Sequence, residues 1–383
     1  MQNRGDLAMR VLMPFWRLEN FDRYVPQMTA IANLVDEFHI EFTTGTPNEE
    51  WRGTFDFHKL NIGYPWLNKI MMRWFLAKKE VLKEVGQIEV DLYYALSDWW
   101  SQQFCYDCSY SFKKPYAVRL RGDYIKDMDA KNRNAIIQWV SKRSKLKSFR
   151  NADLMMPVSK NVRDSAMEWI GNPTKLSLVV PSGVDTKKFR PEPAEKLDFT
   201  VACVGRISPE KGIETLVETM HLASDTRFIV AGEKQMEVEF PENCEYLGRI
   251  PYEQMPDIYN QADLVILTSE TEGMPLVILE AYACDVPVLT HKDVFPSELP
   301  IYGIVQQRND PKEYVESIHR IKEGDYNMIN ARSYVDRYFS WKNFGEKMYE
   351  QFEIICGNKT YTENYGEKLD FKMMNNFTAH ETY

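Results

Sequence analysis

Leu264-Val-Ile-Leu-Thr-Ser-Glu-Thr-Glu-Gly-Met-Pro-Leu-Val-Ile-Leu-Glu-Ala-Tyr-Ala-Cys284 reads as a buried strand, a loop and a helix that opens near Pro275. A strand that turns directly into a helix is the building unit of an open α/β sheet, whose ligands bind outside the carboxyl ends of the strands. Glu272 stands at the mouth of that helix and Glu280 about one turn inside it. Gly273 lets the backbone come close to a ligand, and N–H groups from Met274 onward, with Leu276 the first beyond Pro275, face an incoming phosphate or sugar oxygen. Carboxylates accept hydrogen bonds from sugar hydroxyls, whereas N–H groups and cations suit phosphate, so the run favours a polyol-bearing ligand. The plainer alternative is a helix-capping Glu272 and a surface Glu280.

Working outward, Phe199-Thr-Val-Ala-Cys-Val204, Arg227-Phe-Ile-Val-Ala231 and Val286-Pro-Val-Leu289 complete a second series of strands around Leu264-Val-Ile-Leu267. An earlier series is predicted at Met9-Arg-Val-Leu-Met13, Asp91-Leu-Tyr-Tyr-Ala-Leu96, Tyr116-Ala-Val-Arg-Leu120, Asp153-Leu-Met-Met-Pro-Val158 and Leu176-Ser-Leu-Val-Val180. Helical stretches lie between, which implies parallel sheets. Arg190-Pro-Glu-Pro-Ala-Glu-Lys196, rich in proline and charge, reads as a linker between the two series. The expected organisation is an N-terminal α/β domain at 1–180, a second α/β domain at 181–356 and a polar, flexible tail at 357–383.

A second constellation, Gly205-Arg-Ile-Ser-Pro-Glu-Lys-Gly212, falls where the strand ending at Val204 turns into a helix predicted from Pro209, with Ser208 as its cap. Lys211 then lies in a first turn, where the helix dipole disfavours a cation. A diphosphate held by Arg206, Lys211 and nearby N–H groups would remove the conflict; a solvated lysine is the alternative.

The run Glu-Gly-Met-Pro-Leu-Val-Ile-Leu-Glu-Ala, with seven residues between its two glutamates, resembles the Glu-x7-Glu signature of retaining family 4 glycosyltransferases with the GT-B fold, and Gly205-Arg…Lys-Gly212 resembles the phosphate element of the same family. Further stretches match in order: Pro181-Ser-Gly-Val-Asp-Thr-Lys-Lys-Phe-Arg-Pro191, Glu245-Tyr-Leu-Gly-Arg-Ile-Pro251, Met255-Pro-Asp-Ile-Tyr-Asn-Gln-Ala-Asp263 and Phe339-Ser-Trp-Lys-Asn-Phe. Together they cover most of 152–356. The departures are Ser182 for the usual Asn and Asp285 where the family often has Gly. The resemblance implies two Rossmann-like α/β domains facing across a cleft, with a helix at about 341–356 crossing back to the first. It implies metal-free transfer of a sugar from a UDP- or GDP-linked donor, the nucleotide sugar being a co-substrate rather than a cofactor, to a hydroxyl of a glycan, lipid or protein. By residue, Arg206 and Lys211 would stabilise the departing diphosphate and Glu272 would hold the donor sugar. Gly205, Gly273, Met274, Pro275 and Leu276 would line the site, Glu280 would bind the ribose, and Arg249 and Ile250 would meet the base.

The first 150 residues match far less well. The first strand leads into Pro14-Phe-Trp-Arg-Leu-Glu-Asn20 without the family's glycine-rich loop, and in Val118-Arg-Leu-Arg-Gly-Asp-Tyr124 an arginine, Arg121, occupies the place of a His. Arginine stays charged near neutral pH and cannot shuttle a proton, but it binds phosphate. Arg121 and Asp123 are therefore acceptor-side candidates, against the alternative of a structural group formed by Arg119, Arg121 and Asp123. Asp127-Met-Asp129 is a DxD in a polar stretch, read as solvated, and no metal site is expected.

Composition sets the remaining bounds. With 383 residues, 44% hydrophobic and 27% charged, the chain suits a globular two-domain protein, and neither a signal-peptide core nor an apolar run of membrane-spanning length occurs, so a cytoplasmic enzyme is expected. Of six cysteines only Cys105-Tyr-Asp-Cys108 is closely spaced, a pair read as structural thiols. Net charge is −9, but residues 1–180 hold 26 Lys and Arg against 21 Asp and Glu (+5), leaving 47 − 26 = 21 against 56 − 21 = 35 (−14) for the rest. The basic segments Leu67-Asn-Lys-Ile-Met-Met-Arg-Trp-Phe-Leu-Ala-Lys-Lys-Glu-Val-Leu-Lys83 and Ser141-Lys-Arg-Ser-Lys-Leu-Lys-Ser-Phe-Arg150 suit either peripheral contact with an anionic membrane or core-facing helices with solvated lysines; nucleic acid is not expected as a partner. A nucleotide-sugar 2-epimerase of the same fold and a non-enzymatic binding protein are the rival functions.

Overall fold

A computed structural model describes residues 8–60, 70–96, 99–122, 135–171, 176–194 and 198–357. The chain divides into Met1–Val180 with Phe344–Tyr383 as one unit and Pro181–Asn343 as the other. From residue 358 onward the polar tail lies outside the described residues, as do Asp123 and the DxD pair Asp127 and Asp129.

In the first unit β1 (Arg10–Arg17), β2 (Glu37–Thr44), β3 (Asp56–Lys59), β4 (Leu92–Ala95), β5 (Tyr116–Leu120), β6 (Leu154–Pro157) and β7 (Leu176–Ser177) form one parallel sheet in the order β3-β2-β1-β4-β5-β6-β7. Strands β2 and β3 were not anticipated, because Glu37-Phe-His-Ile-Glu-Phe-Thr-Thr44 and Asp56-Phe-His-Lys59 carry charge at alternate positions. Glu41 is nonetheless 1% exposed, and burial, with the charge of Glu84 behind it, pushes its carboxyl up to about 8.

The basic stretch around Trp74 forms part of the helix Ile70–Val85, which turns Trp74, Ala77, Val81 and Val85 into the core. Trp74 Nε1 donates to Asp107 Oδ2 at 2.9 Å, and Lys78 Nζ reaches Asp107 Oδ1 at 2.5 Å, so this helix is core-facing. Cys105 and Cys108 are buried free thiols on the helix Trp99–Phe112. Arg119 is fully buried on β5, donates through Nη1 to the Val180 carbonyl at 2.9 Å and stacks 4.8 Å over Phe344. Phe344 lies on the helix Trp341–Ile355, which leaves the second unit at Asn343 and packs within the first, where the Phe352 and Tyr94 rings meet at 5.6 Å.

The second unit holds β8 (Thr200–Val204), β9 (Arg227–Ala231), β10 (Cys244–Gly248), β11 (Leu264–Ile266), β12 (Val288–His291) and β13 (Gly303–Gln306), again all parallel, in the order β10-β9-β8-β11-β12-β13. Apolar strand residues such as Val201, Phe228, Val230, Leu264, Ile266 and Leu289 pack with Ile213, Leu216, Tyr314 and Ile318 in one core. Strand order reverses between β8 and β11, the topological switch point at which open α/β sheets bind ligands. After the helix Leu276–Ala283 the chain turns through Asp285 at φ 59°, a left-handed conformation that glycine adopts without cost. The departure from the family's glycine thus leaves the turn intact.

Candidate functional site

Both motif loops leave the sheet at this switch point. After β8 the chain passes through Gly205, Arg206 and an extended Ser208 into a 3-10 turn at Pro209–Lys211, and the α-helix Ile213–Leu222 begins only after Gly212. This corrects the expected helix from Pro209: Ser208 makes no side-chain cap bond, and Lys211 closes a short turn instead of opening a helix. The predicted conflict between lysine and helix dipole therefore does not arise. What holds Lys211 is Glu272, whose Oε1 accepts from Nζ at 2.5 Å and from Ser269 Oγ at 2.7 Å.

Backbone contacts sew the two loops together. The Glu270 N–H donates to the Glu210 carbonyl at 3.0 Å, and the Thr268 hydroxyl lies 3.1 Å from the Lys211 carbonyl and 3.0 Å from that of Gly212. Gly212 is left-handed at φ 64°, and a Cβ there would sit 1.8 Å from the Thr268 carbonyl oxygen. Only glycine satisfies both demands.

Arg206 is about half exposed, with Nη1 3.2 Å from Gln235 Oε1 and Nη2 3.3 Å from Glu210 Oε1. These contacts orient the guanidinium without desolvating it, which keeps it available to an anion. Gly205 follows β8 directly; Gly273 is half-buried, Met274 buried, and Leu276 37% exposed at the start of its helix. Pro275 caps that helix from an extended conformation at φ −71°, ψ 111°. Glu280 is 9% exposed one turn in, and its Oε2 accepts from the Tyr259 hydroxyl at 2.5 Å. Burial pushes its carboxyl up to about 7, against the opposing pull of the Tyr259 bond. It is thus neither a surface residue nor a permanently charged one near neutral pH. Arg249, exposed, and Ile250, half-buried, follow β10 on the far side of β9.

The structure therefore brings Lys211 and Glu272 into direct contact, with Arg206 on the same loop as Lys211 and Glu280 on the helix behind Glu272. In the first unit Arg121 follows β5, is exposed and lies 4.8 Å over the Tyr24 ring, while Arg119 is buried elsewhere. Asp123, the carboxylate that would join Arg119 and Arg121 in a structural group, lies outside the described residues. Sequence reading missed Ser269, Thr268 and Tyr259, although Ser269 stands three residues before Glu272 and Tyr259 lies on a helix that was anticipated.

Residues 184–338 match the family described as glycosyl transferases group 1. A GDP-mannose-dependent monoacylated alpha-(1-6)-phosphatidylinositol monomannoside mannosyltransferase from Corynebacterium glutamicum is 27% identical over 205 residues, 44% of this chain and 54% of that protein. The phosphatidylinositol N-acetylglucosaminyltransferase GPI3 subunit of Saccharomyces cerevisiae is 22% identical over 265 residues, 62% of this chain and 58% of that one. The chain thus spans little more than half the length of these relatives. Among solved structures, sucrose-phosphate synthase from Thermosynechococcus elongatus superposes with a TM-score of 0.74 at 18% identity, covering 92% of this chain and 100% of that one. Anabaena HepE in complex with UDP and glucose gives 0.72 at 16% identity, covering 90% and 100%. These structural likenesses show the GT-B fold, and residues 184–338 of the chain are similar to the group 1 glycosyl transferases.

Proposed function

We propose that the protein transfers a sugar from a nucleoside diphosphate sugar, UDP- or GDP-linked, to a hydroxyl acceptor, retaining the anomeric configuration and using no metal. The observation that carries this reading is the contact of Lys211 with Glu272 between the loops that follow β8 and β11 at the switch point of one unit, with Arg206 on the first loop and Glu280 on the helix after the second. In this reading the diphosphate lies by Arg206 and Lys211, the ribose hydroxyls by Glu280, the base by Arg249 and Ile250, and the sugar hydroxyls by Glu272 and the backbone of Gly273 and Met274. As the glycosidic bond breaks, negative charge grows on the leaving phosphate and positive character on the sugar carbon. Arg206 and Lys211 are fixed cations in place before that charge develops, which is the role a divalent ion plays in metal-dependent transferases. The acceptor oxygen attacks from the leaving-group face. Two relatives whose names include phosphatidylinositol favour a lipid-linked hydroxyl over a free glycan or protein.

The assay is glycoside formation from UDP- and GDP-sugars with lipid, glycan and peptide acceptors, in EDTA, across pH. A retained glycoside supports the reading; an epimerised nucleotide sugar made without acceptor favours the isomerase, and abolition by EDTA sinks the metal-free mechanism. The pH arm tests Glu280. Because its carboxyl is raised to about 7 in the folded state, its contribution to stability is full below the ordinary carboxylate range and declines as pH rises through about 7. Donor binding runs the other way, since ionised Glu280 is the stronger acceptor for ribose hydroxyls. Donor KM should therefore fall between roughly pH 6 and roughly pH 8, and Glu280→Gln should flatten the change.

Peripheral membrane contact through the basic half is part of this reading. The helix Ala135–Asn151 carries five Lys and Arg and no carboxylate, and Lys142, Arg143, Lys147 and Arg150 are exposed on it. Among the described residues no helix is long and apolar enough to cross a membrane. Sedimentation with phosphatidylglycerol vesicles, absent with phosphatidylcholine and reversed by salt, is the expected result. Equal partition to both vesicle types would overturn it.

A further inference from the structure

Strand β11 ends at Ile266, yet the next three residues remain buried, with Leu267 at 4%, Thr268 at 1% and Ser269 at 0% exposure. Buried carbonyls need donors. Each of these three receives one from a side chain beyond β11. Thr290 Oγ1 at 2.8 Å and Tyr314 OH at 3.3 Å reach the Leu267 carbonyl, Asn309 Nδ2 reaches that of Thr268 at 3.0 Å, and His291 Nε2 reaches that of Ser269 at 2.9 Å. His291 closes β12 and is 2% exposed. A carbonyl can only accept, so its contact with Nε2 fixes the imidazole proton on that nitrogen. From Ser269 the chain of contacts continues: Oγ donates to Glu272 Oε1, the oxygen that also takes Lys211 Nζ.

We infer that His291 is a positioning residue for the donor sugar, holding the Ser269 peptide so that the Glu272 carboxylate and the Lys211 ammonium face the ligand at a set angle. The inference rests on the proposed nucleotide-sugar site and adds a residue that touches neither ligand nor reacting atoms. Without the imidazole N–H the Ser269 carbonyl is buried and unpaired, and the peptide can regain a partner only by rotating. Glu272, three residues on and hydrogen-bonded to Ser269, moves with it. Arg206 and Glu280, held by Gln235 and Tyr259, do not.

The test compares binding of UDP and GDP with that of UDP-glucose and GDP-mannose by calorimetry in wild type, His291→Leu and His291→Gln. We expect His291→Leu to leave nucleoside diphosphate affinity within about threefold while lowering kcat ~10- to 100-fold and erasing any preference for the nucleotide sugar over the bare nucleotide. His291→Gln, which keeps an N–H donor, recovers most of both. In a Glu272→Gln background His291→Leu should add less than about twofold, because the route of its effect is already gone. A full additional loss in that background, or unchanged kcat and sugar preference, overturns the inference. Should His291→Leu fail to fold, His291→Gln and His291→Asn in the same cycle carry the test. Wild type that binds neither UDP nor GDP defeats the nucleotide-sugar reading itself and this inference with it, whereas nucleotide binding untouched by every His291 variant defeats the inference alone.

Discussion

Alanine at Lys211 or at Arg206 lowers kcat by ~10² to 10³, the usual loss when one preorganised donor to a developing oxyanion is removed. The two variants should nevertheless behave differently when unliganded. Lys211 is paired at 2.5 Å with Glu272, whose side chain is only 12% exposed, so Lys211→Ala leaves a mostly buried carboxylate with Ser269 Oγ as its remaining donor in that contact. Some loss of stability should accompany the kinetic defect. Arg206 is 53% exposed and its contacts with Glu210 and Gln235 are at the surface, so Arg206→Ala should change stability by less than about 0.5 kcal/mol while still losing turnover. Steady-state kinetics beside urea unfolding separates the two. Near-normal kcat in both variants would remove the diphosphate from this loop altogether.

The Lys211 and Glu272 contact also bears on how a donor enters. Without ligand, the cation that would take phosphate in the proposed reading and the carboxylate that would take the sugar neutralise one another. A nucleotide sugar presents a partner to each, a phosphate for Lys211 and hydroxyls for Glu272, so it exchanges one pair for two sets of charge-assisted hydrogen bonds. A bare sugar or inorganic phosphate satisfies only one side and leaves the other desolvated. The arrangement thus favours the joined ligand over its fragments.

Much of the second unit could be read from its punctuation. Arg206 follows Gly205, Lys211 precedes Gly212 and Glu272 precedes Gly273, so glycine marks three of the four charged positions, and helical register places Glu280. Contact between Lys211 and Glu272 was not legible, because 61 residues separate them and only the strand order brings β8 beside β11. The 3-10 turn was read as a helix because Ser208-Pro209 is a good helix start, and Gly212 at φ 64° postpones the helix by one turn. In the first unit β2 was missed for a different reason: Glu37, His39 and Glu41 alternate with apolar residues on a strand whose polar positions, His39 and Glu41, are themselves buried. His291 gave no signal at all, since an isolated histidine at a strand end is recognisable only once the carbonyl it caps is known.

Gly212→Ala tests that geometry from the backbone rather than from a charge. Two costs add at this position. The left-handed φ of 64° disfavours any residue with a Cβ by about 1 to 2 kcal/mol, and the methyl would lie 1.8 Å from the Thr268 carbonyl oxygen and 2.7 Å from its carbon. A backbone carbonyl cannot swing away as a flexible side chain would, so the two loops must separate, at a further cost of about 1 to 3 kcal/mol. We expect the variant to lose roughly 2 to 5 kcal/mol in urea unfolding of the second unit, the sum of those terms. Separation also draws Lys211 from Glu272 and breaks the Thr268 hydroxyl contacts, so nucleotide affinity should fall together with stability, unlike in Arg206→Ala. Gly212→Ala that unfolds like wild type and binds UDP or GDP normally would mean that the loops after β8 and β11 are not locked together as described.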